Sequence, residues 1–163
     1  MDSGPTQPQN SLIVMETWVS ASLERWRQIL GPRGILTREG ASLNCEAWLD
    51  PKMLNLITDN LLDNSRKFAR TVPTVVIESR LLPTRWQLRF RDDGWGFNPD
   101  DSEKIFNRFF RARTEAPYAI PGTGLGLYLV SSAARSLGIT IRGESEGRGQ
   151  GAIFTLEGPR VST

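Results

Sequence analysis

The apolar positions near the start of this 163-residue chain recur at spacings of three and four: Val19, Leu23, Trp26 and Leu30. That spacing puts them on one face of a helix, which we predict over residues 13–30 with its end at Gly31 and Pro32. Residues 1–11 show no such period and contain two prolines and a glycine. We therefore predict a flexible leader there, outside the folded domain.

Two further helices are predicted downstream. Asp50 can cap the first of them, which has Pro51 at its opening position and runs to about residue 70. The second covers about residues 124–137 and ends at Gly138, because glycine readily adopts the left-handed backbone angles of a helix terminus.

Strand-like segments separate these helices. The clearest is residues 85–91, where aromatic and leucine side chains alternate with polar ones, and residues 74–82 before it predict a hairpin partner. Shorter strands are predicted at residues 35–38, 43–49, 139–144 and 151–157. We expect an α+β domain in which a layer of strands packs against a layer of helices.

Composition narrows the classes of function. The chain has 39% hydrophobic and 23% charged residues, no apolar run near the roughly 18 residues of a membrane span, and no signal peptide, so we predict one soluble domain. A net charge of +2 with scattered basic residues gives no basis for nucleic-acid binding. With one cysteine and no histidine, the chain cannot form an internal disulfide, ligate zinc through histidine or phosphorylate a histidine of its own.

Three polar side chains lie together on the helix that is predicted from Pro51 to about residue 70. Asn60, Asn64 and Lys67 are spaced by four and three residues, which places them within roughly 60° of one another around the helix axis. An asparagine oxygen suits Mg²⁺ that is held mainly by phosphates, and a nearby lysine supplies a positive charge for those phosphates. A solvated helix face would show the same pattern.

Glycine-rich segments follow at two points. Asp92 ends the alternating strand and precedes Gly94 and Gly96, so its carboxylate could accept a hydrogen bond from an adenine amino group while the glycines let the backbone approach the ring. A plain Asp-Gly turn is the alternative. Residues 122–126 contain three glycines at the start of the helix predicted over about residues 124–137. The backbone N–H groups there could hold phosphate oxygens. A glycine-rich helix entry without a ligand would look the same.

Residues 105–111 combine three phenylalanines with two arginines just before an irregular segment. We expect a short helix, capped by Asp101 or Ser102, that reaches residue 110, and then a mobile loop over residues 111–121. The aromatic side chains would anchor this loop to the core. A γ-phosphate could be reached by an arginine of this segment, although exposed surface charge explains the arginines equally well. The candidates are Arg108, Arg111 and Arg113.

Taken together, these segments resemble the four sequence boxes of sensor histidine kinases. The boxes occur in the family's order: the N box at residues 60–68, the G1 box at 92–96, the F box at 106–111 and the G2 box at 122–126. The resemblance covers about residues 12–158 and leaves residues 159–163 as a C-terminal tail. It implies the catalytic and ATP-binding domain of the gyrase, Hsp90, histidine kinase and MutL superfamily. That domain is a two-layer sandwich with a mixed β-sheet covered on one face by helices, the Bergerat-type fold, and a flexible ATP lid, here residues 107–121.

The resemblance also implies a role for each box. Asn64 would coordinate Mg²⁺, and Asp92 would bind the adenine amino group. Asn60 and Lys67 would contact phosphate or its hydration shell. The remaining ATP-binding residues would be Phe68, Gly94, Gly96, Gly122, Thr123, Gly124, Leu125 and Gly126, and the catalytic residues would be Asn60, Lys67 and Arg111. Trp95 is bulkier than the residue usual between the G1 glycines and would alter the lid or the adenine pocket.

The leading hypothesis for function is transfer of the γ-phosphoryl group of Mg-ATP to a histidine outside this chain. The acceptor would lie on a dimerisation and phosphoacceptor domain, and a response regulator would be served indirectly. We expect a cytoplasmic, monomeric domain without direct membrane contact, whose parent kinase could be membrane-anchored. The alternatives are a non-catalytic ATP-sensing module and an ATPase of the gyrase, Hsp90 or MutL kind. Asn60 argues against the ATPase, because those enzymes usually carry a glutamate there and an amide cannot take a proton from water.

Overall fold

The computed structural model describes residues 7–111, 116, 120, 122 and 124–161. Its elements follow one another in the order β1 (Ser11–Val14), α1 (Met15–Leu30), β2 (Ile35–Gly40), β3 (Glu46–Leu49), α2 (Pro51–Lys67), β4 (Thr74–Leu81), β5 (Arg85–Asp92), α3 (Gly126–Leu137), β6 (Thr140–Glu144) and β7 (Ala152–Pro159). Two 3₁₀ turns, Pro99–Asp101 and Lys104–Phe106, lie between β5 and α3.

Five strands form one mixed sheet in the order β2-β4-β5-β7-β6, in which β2 runs parallel to β4 and the other pairs are antiparallel. Alternate residues of the three central strands are buried on one face: Val75, Ile77, Trp86, Leu88, Phe90, Phe154 and Leu156. The opposite face carries charged side chains that form ion pairs, such as Arg89 with Glu78 and Arg85 with Glu157. The predicted two-layer α+β sandwich, with helices over one face of a mixed sheet, is confirmed.

Helix α2 is held firmly at its start and along its buried face. Its predicted cap is confirmed, because the Asp50 side chain accepts hydrogen bonds from two backbone N–H groups of the first turn and Pro51 is the first helical residue. Trp26 of α1 donates its Nε1–H to the Thr58 hydroxyl of α2 at 3.2 Å and packs edge-on against Phe90 of the sheet with ring centroids 5.7 Å apart. These contacts fix the helix that carries the N box.

The start of the chain differs from the prediction. Helix α1 begins at Met15 and not at residue 13, because residues 11–14 pair with β3 as a strand that the helical period did not indicate. The backbone N–H of Gln9 also donates to the Asp50 carboxylate at 2.9 Å. Pairing with a strand 35 residues away is a tertiary contact, and local periodicity carries no signal for it.

The short helix predicted up to residue 110 is also wrong. That segment forms the two 3₁₀ turns, and the first is capped by the side chain of Asn98, which accepts from the backbone N–H of Asp100 at 2.9 Å. Neither Asp101 nor Ser102 acts as the cap. A segment this short does not repay the cost of nucleating an α-helix, and the burial of Ile105 fixes its course instead.

Other element ends move by a few residues. Helix α2 ends at Lys67 instead of about residue 70, and β3 begins at Glu46 instead of residue 43. The last strand extends to Pro159, and the backbone N–H of Val161 donates to the Glu46 carbonyl at 2.8 Å. Within the described ranges, no helix has both the length and the apolar character needed to cross a membrane.

Candidate functional site

A cavity of about 390 Å³ lies between the C-terminal half of α2, the end of β5 and the start of α3. This volume falls in the range of roughly 300–1,000 Å³ that small-molecule pockets have. Most of the predicted site residues line it: Asn60, Asn64, Lys67, Phe68, Asp92, Gly96, Arg111, Gly122, Gly124 and Gly126. The fold therefore brings the four boxes, which span more than sixty residues of sequence, to one concave surface.

Two predicted site residues that the structure describes, Gly94 and Leu125, do not line the cavity. Gly94 is buried, and a side chain there would overlap the carbonyl oxygen of Phe68. Leu125 lies just before α3 without lining the cavity, and Thr123 lies outside the described residues. Trp95 does not line the cavity either, and its backbone N–H donates to the Phe68 carbonyl at 2.9 Å.

The Asp92 carboxylate is held by uncharged donors only, within the part of the chain that the structure describes. Its Oδ1 accepts from the backbone N–H groups of Gly94 and Ala152 at 3.0 and 3.2 Å, and its Oδ2 accepts from the hydroxyl of Ser65 at 3.1 Å. Burial raises the pKa of Asp92 to about 6, because these three hydrogen bonds favour the ionised form less than desolvation disfavours it. The site thus contains a carboxylate that titrates near neutrality and faces the cavity.

The polar edge of α2 carries a charged side chain, Asp63, in addition to the three polar residues that were predicted there. Lys67 lies 3.1 Å from the carboxylate of Asp63, which also receives a hydrogen bond from Arg66 at 2.6 Å. Partial burial acts to raise the pKa of Asp63, but the bonds from Arg66 and Lys67 outweigh it and hold that pKa below its usual value. Asp63 lines the cavity and was missed by sequence reasoning, although it stands inside the N box.

The cavity offers a metal ion the amide oxygens of Asn60 and Asn64 and two separate carboxylates, those of Asp63 and Asp92. No cluster of three or more carboxylate, cysteine or histidine side chains suited to a metal ion occurs among the described residues. The side-chain amide of Asn60 donates to the Leu56 carbonyl at 2.8 Å, and Asn64 lines the cavity one turn further along the helix. A divalent cation in this cavity would therefore need ligand oxygens from a bound phosphate chain.

The F and G2 boxes touch each other directly. The backbone N–H of Phe109 donates to the carbonyl of Gly124 at 3.1 Å. Gly124 has a φ of +75°, and a Cβ there would lie 2.9 Å from the Phe109 backbone, so only glycine fits. The guanidinium of Arg111 donates to the carbonyl of Ile120. The predicted lid, residues 107–121, is described only in part, and Arg113 lies outside the described residues.

Two features of the site were not predicted: a serine that holds the G1 segment in place without lining the cavity, and the apolar lining of the cavity. Ser145 ties the turn between β6 and β7 to the G1 segment, because its hydroxyl donates to the Gly151 carbonyl at 2.7 Å and accepts from the backbone N–H of Phe97 at 3.1 Å. Apolar side chains also line the cavity, such as Ile105, Leu127 and Phe154. In sequence such residues look like any other core positions, so no signal distinguishes them.

Comparison with known proteins gives a consistent result. Residues 49–162 match the family described as histidine kinase-, DNA gyrase B-, and HSP90-like ATPase. The sensor-like histidine kinase SenX3 of Mycobacterium tuberculosis is 30% identical over 154 residues, which are 94% of this chain and 37% of that protein. The chain spans about a third of the length of the curated relatives it matches.

Solved structures share the fold. The mycobacterial sensor histidine kinase MprB superposes with a TM-score of 0.76 at 23% identity, over 94% of this chain and 99% of the solved one. Full-length ShkA in complex with AMPPNP superposes with a TM-score of 0.78 at 23% identity, over 98% of this chain and 33% of the solved one.

Proposed function

This chain belongs to the family of histidine kinase-, DNA gyrase B- and HSP90-like ATPases, and from that premise we propose that it is the ATP-binding catalytic domain of a sensor histidine kinase. It would bind Mg-ATP and transfer the γ-phosphoryl group to a histidine on a dimerisation and phosphoacceptor domain outside this chain. A response regulator would take the group from there. A monomeric domain in the cytoplasm, within a parent kinase that could be membrane-anchored, belongs to the same proposal.

The observation that carries the proposal is the environment of Asp92. This carboxylate faces a ligand-sized cavity, has no ion-pair partner among the described residues and can accept a further hydrogen bond beside the three it already accepts. The amino group of adenine is a donor that would form this further hydrogen bond with Asp92. Phe68 and Phe97 also line the cavity and supply the apolar surroundings that a purine ring needs.

The other end of the cavity fits a phosphate chain. Gly122, Gly124 and Gly126 leave room for phosphates beside the start of α3, where backbone N–H groups and the helix dipole favour negative charge. Lys67 can leave Asp63 and pair with a phosphate, and the Asn64 oxygen can share a Mg²⁺ with the phosphates. Bound ATP would supply the phosphoryl group, and the cation would neutralise its charge.

Arg111 and Asn60 complete the proposed chemistry. Arg111 lines the cavity from the lid side, so its guanidinium could stabilise charge on the transferred group once it leaves the Ile120 carbonyl. Asn60 lines the cavity on the N box, and its amide cannot act as a base toward water. These residues favour transfer to a partner histidine over hydrolysis of ATP.

Calorimetric titration with a non-hydrolysable ATP analogue, with and without Mg²⁺, tests binding. We expect saturable binding that Mg²⁺ strengthens. The Asn64→Asp variant should weaken Mg-dependent binding by disturbing the charge around metal and phosphate. The matched control Asn44→Asp, at an exposed loop position, should bind as the native chain does.

Transfer is tested by adding the cognate phosphoacceptor domain and labelled ATP. Because this chain has no histidine, any phosphohistidine must lie on the partner. Labelling of the partner supports the kinase, whereas release of free phosphate by the chain alone would support the ATPase. A chain that binds ATP but labels no partner would be a nucleotide-sensing module.

A further inference from the structure

Ser65 lies on α2 next to the predicted metal ligand Asn64, yet its side chain contacts the opposite end of the cavity. It is 3% exposed, and its hydroxyl donates to the Oδ2 of Asp92 at 3.1 Å. We propose that Ser65 is a positioning residue for purine recognition, which orients the Asp92 carboxylate and leaves one acceptor position on Oδ2 for the amino group of adenine. The proposal rests on the proposed function of this cavity as an ATP site.

A count of acceptor positions supports this role. An ionised carboxylate has about four lone-pair positions, two on each oxygen. Both positions on Oδ1 are used by the backbone N–H groups of Gly94 and Ala152. Ser65 uses one position on Oδ2, so a single position remains, on the oxygen that the serine holds in place. Without the serine, Oδ2 would have no protein donor among the described residues and could bind water or a proton instead.

This arrangement would discriminate between purines. Adenine carries an amino group at the position where hypoxanthine and guanine carry a carbonyl oxygen. An ionised Asp92 attracts the amino donor and repels the carbonyl acceptor, whereas a protonated Asp92 would donate to the carbonyl. By donating to the ionised form, Ser65 favours the state that selects adenine.

None of the charged side chains described around Asp92 donates a hydrogen bond to its carboxylate as Ser65 does. Asp93, the next residue of the chain, disfavours ionisation of Asp92 by its negative charge. Asp63 and Lys67 on α2 and Arg111 from the lid line the same cavity, but none of them forms an ion pair or hydrogen bond with Asp92 among the described contacts. The hydroxyl of Ser65 is therefore the one side-chain donor described for this carboxylate.

The first test is independent of nucleotide binding. The carboxyl ¹³C chemical shift of Asp92 is titrated against pH in the nucleotide-free native chain, in Ser65→Ala and in the control Ser22→Ala. Ser22 is 1% exposed on α1, and its hydroxyl donates to the Trp18 carbonyl at 2.7 Å, so the control also loses a buried hydroxyl from a helix. We expect the Asp92 midpoint to rise by about one pH unit in Ser65→Ala and to stay unchanged in Ser22→Ala. An unchanged midpoint in Ser65→Ala would overturn the proposal.

The second test measures selectivity by calorimetry with ADP and with inosine diphosphate at neutral pH. Ser65→Ala should lose about tenfold in its preference for ADP over inosine diphosphate, and Ser22→Ala should keep the native preference. An equal loss for both nucleotides in Ser65→Ala would show a merely structural role and overturn the proposal. If the native chain binds neither nucleotide, the proposed function fails, and the carboxyl titration still decides whether Ser65 controls Asp92.

Discussion

Two carboxylates in this domain are held in opposite ways. Glu16, at the start of α1, receives both terminal nitrogens of Arg38 at 2.6 Å and the backbone N–H of Leu43 at 2.6 Å. The Arg38 guanidinium holds the pKa of Glu16 down at about 2. Asp92, at the end of β5, has uncharged donors only among the described residues, and burial raises its pKa to about 6.

The difference separates a structural carboxylate, Glu16, from Asp92, the carboxylate that we propose for recognition of the nucleotide. Glu16 joins α1 to β2 and to the segment before β3, so its ionised form stabilises the fold. The ionised form of Asp92 destabilises the fold, because part of its hydration is lost and no opposite charge among the described residues replaces it. A carboxylate whose ionised form lowers the stability of the fold and that faces a cavity can receive a further hydrogen bond from a bound ligand.

Replacing the recognition carboxylate should have the largest effect. We expect Asp92→Asn to weaken binding of an ATP analogue by about 100-fold, because the amide places a donor or a weaker acceptor where the proposed site would bind the amino group of adenine. The same variant should be more stable than the native chain at neutral pH by about 1–2 kcal/mol, since the uncharged amide avoids the desolvation cost. Calorimetry and urea unfolding measure the two effects. Asp93→Asn, at the exposed neighbouring position, is the control and should change neither by a comparable amount.

Replacing the structural carboxylate should give the reverse pattern. Glu16→Gln leaves the Arg38 guanidinium, which is 20% exposed, without its charged partner. We expect a loss of about 2 kcal/mol in the free energy of unfolding and unchanged nucleotide affinity. Glu24→Gln removes an exposed carboxylate that lies 4.0 Å from Arg27 and should be nearly neutral. Weaker nucleotide binding by Glu16→Gln would show that the two regions are coupled.

The pH dependence should differ in sign between the two groups. The folded chain keeps the Asp92 proton up to about pH 6, whereas an ordinary aspartate loses it near 3.8. Asp92 therefore lowers stability progressively as the pH rises between these two values. Glu16 contributes stability above its ordinary value of 4.5, and that contribution is lost as the pH falls toward about 2.

Of these two carboxylates, only Asp92 should make nucleotide binding depend on pH. Below about pH 6 we expect the affinity for an ATP analogue to fall by up to about tenfold for each pH unit, because a protonated carboxyl is a weaker acceptor and presents an O–H donor to the amino group of adenine. Calorimetry across this range measures the slope. Asp92→Asn should remove this dependence, and a slope that persists in the variant would assign it to another group.

The smallest effect is expected on the exposed face of the sheet. Glu78 pairs with Arg89 at 3.5 Å and Arg91 at 3.1 Å, and both arginines are partly exposed. We expect Glu78→Gln to change the free energy of unfolding by less than about 1 kcal/mol, because solvent screens these pairs. A larger loss in urea unfolding would mean that this face is stabilised by a charge network comparable to the Glu16 site.

The sequence by itself determined the local features of this protein. The three long helices, the Asp50 cap and the β4–β5 hairpin were predicted because periodicity, caps and short turns depend on residues near one another in the chain. The shared helix face of Asn60 and Lys67 follows from helical geometry in the same way. The order of the four boxes, read as a family resemblance, predicted the Bergerat-type sandwich and about half of the residues that line the cavity.

The tertiary structure decided the contacts that make the cavity specific. Ser65 and Ala152 meet Asp92 across 27 and 60 residues of sequence, and Glu16 meets Arg38 across 22. The β1–β3 pairing and the apolar lining of the cavity depend in the same way on how the layers pack. No local pattern encodes such contacts, because a buried serine or phenylalanine has the same sequence signature whether it faces the core or a ligand.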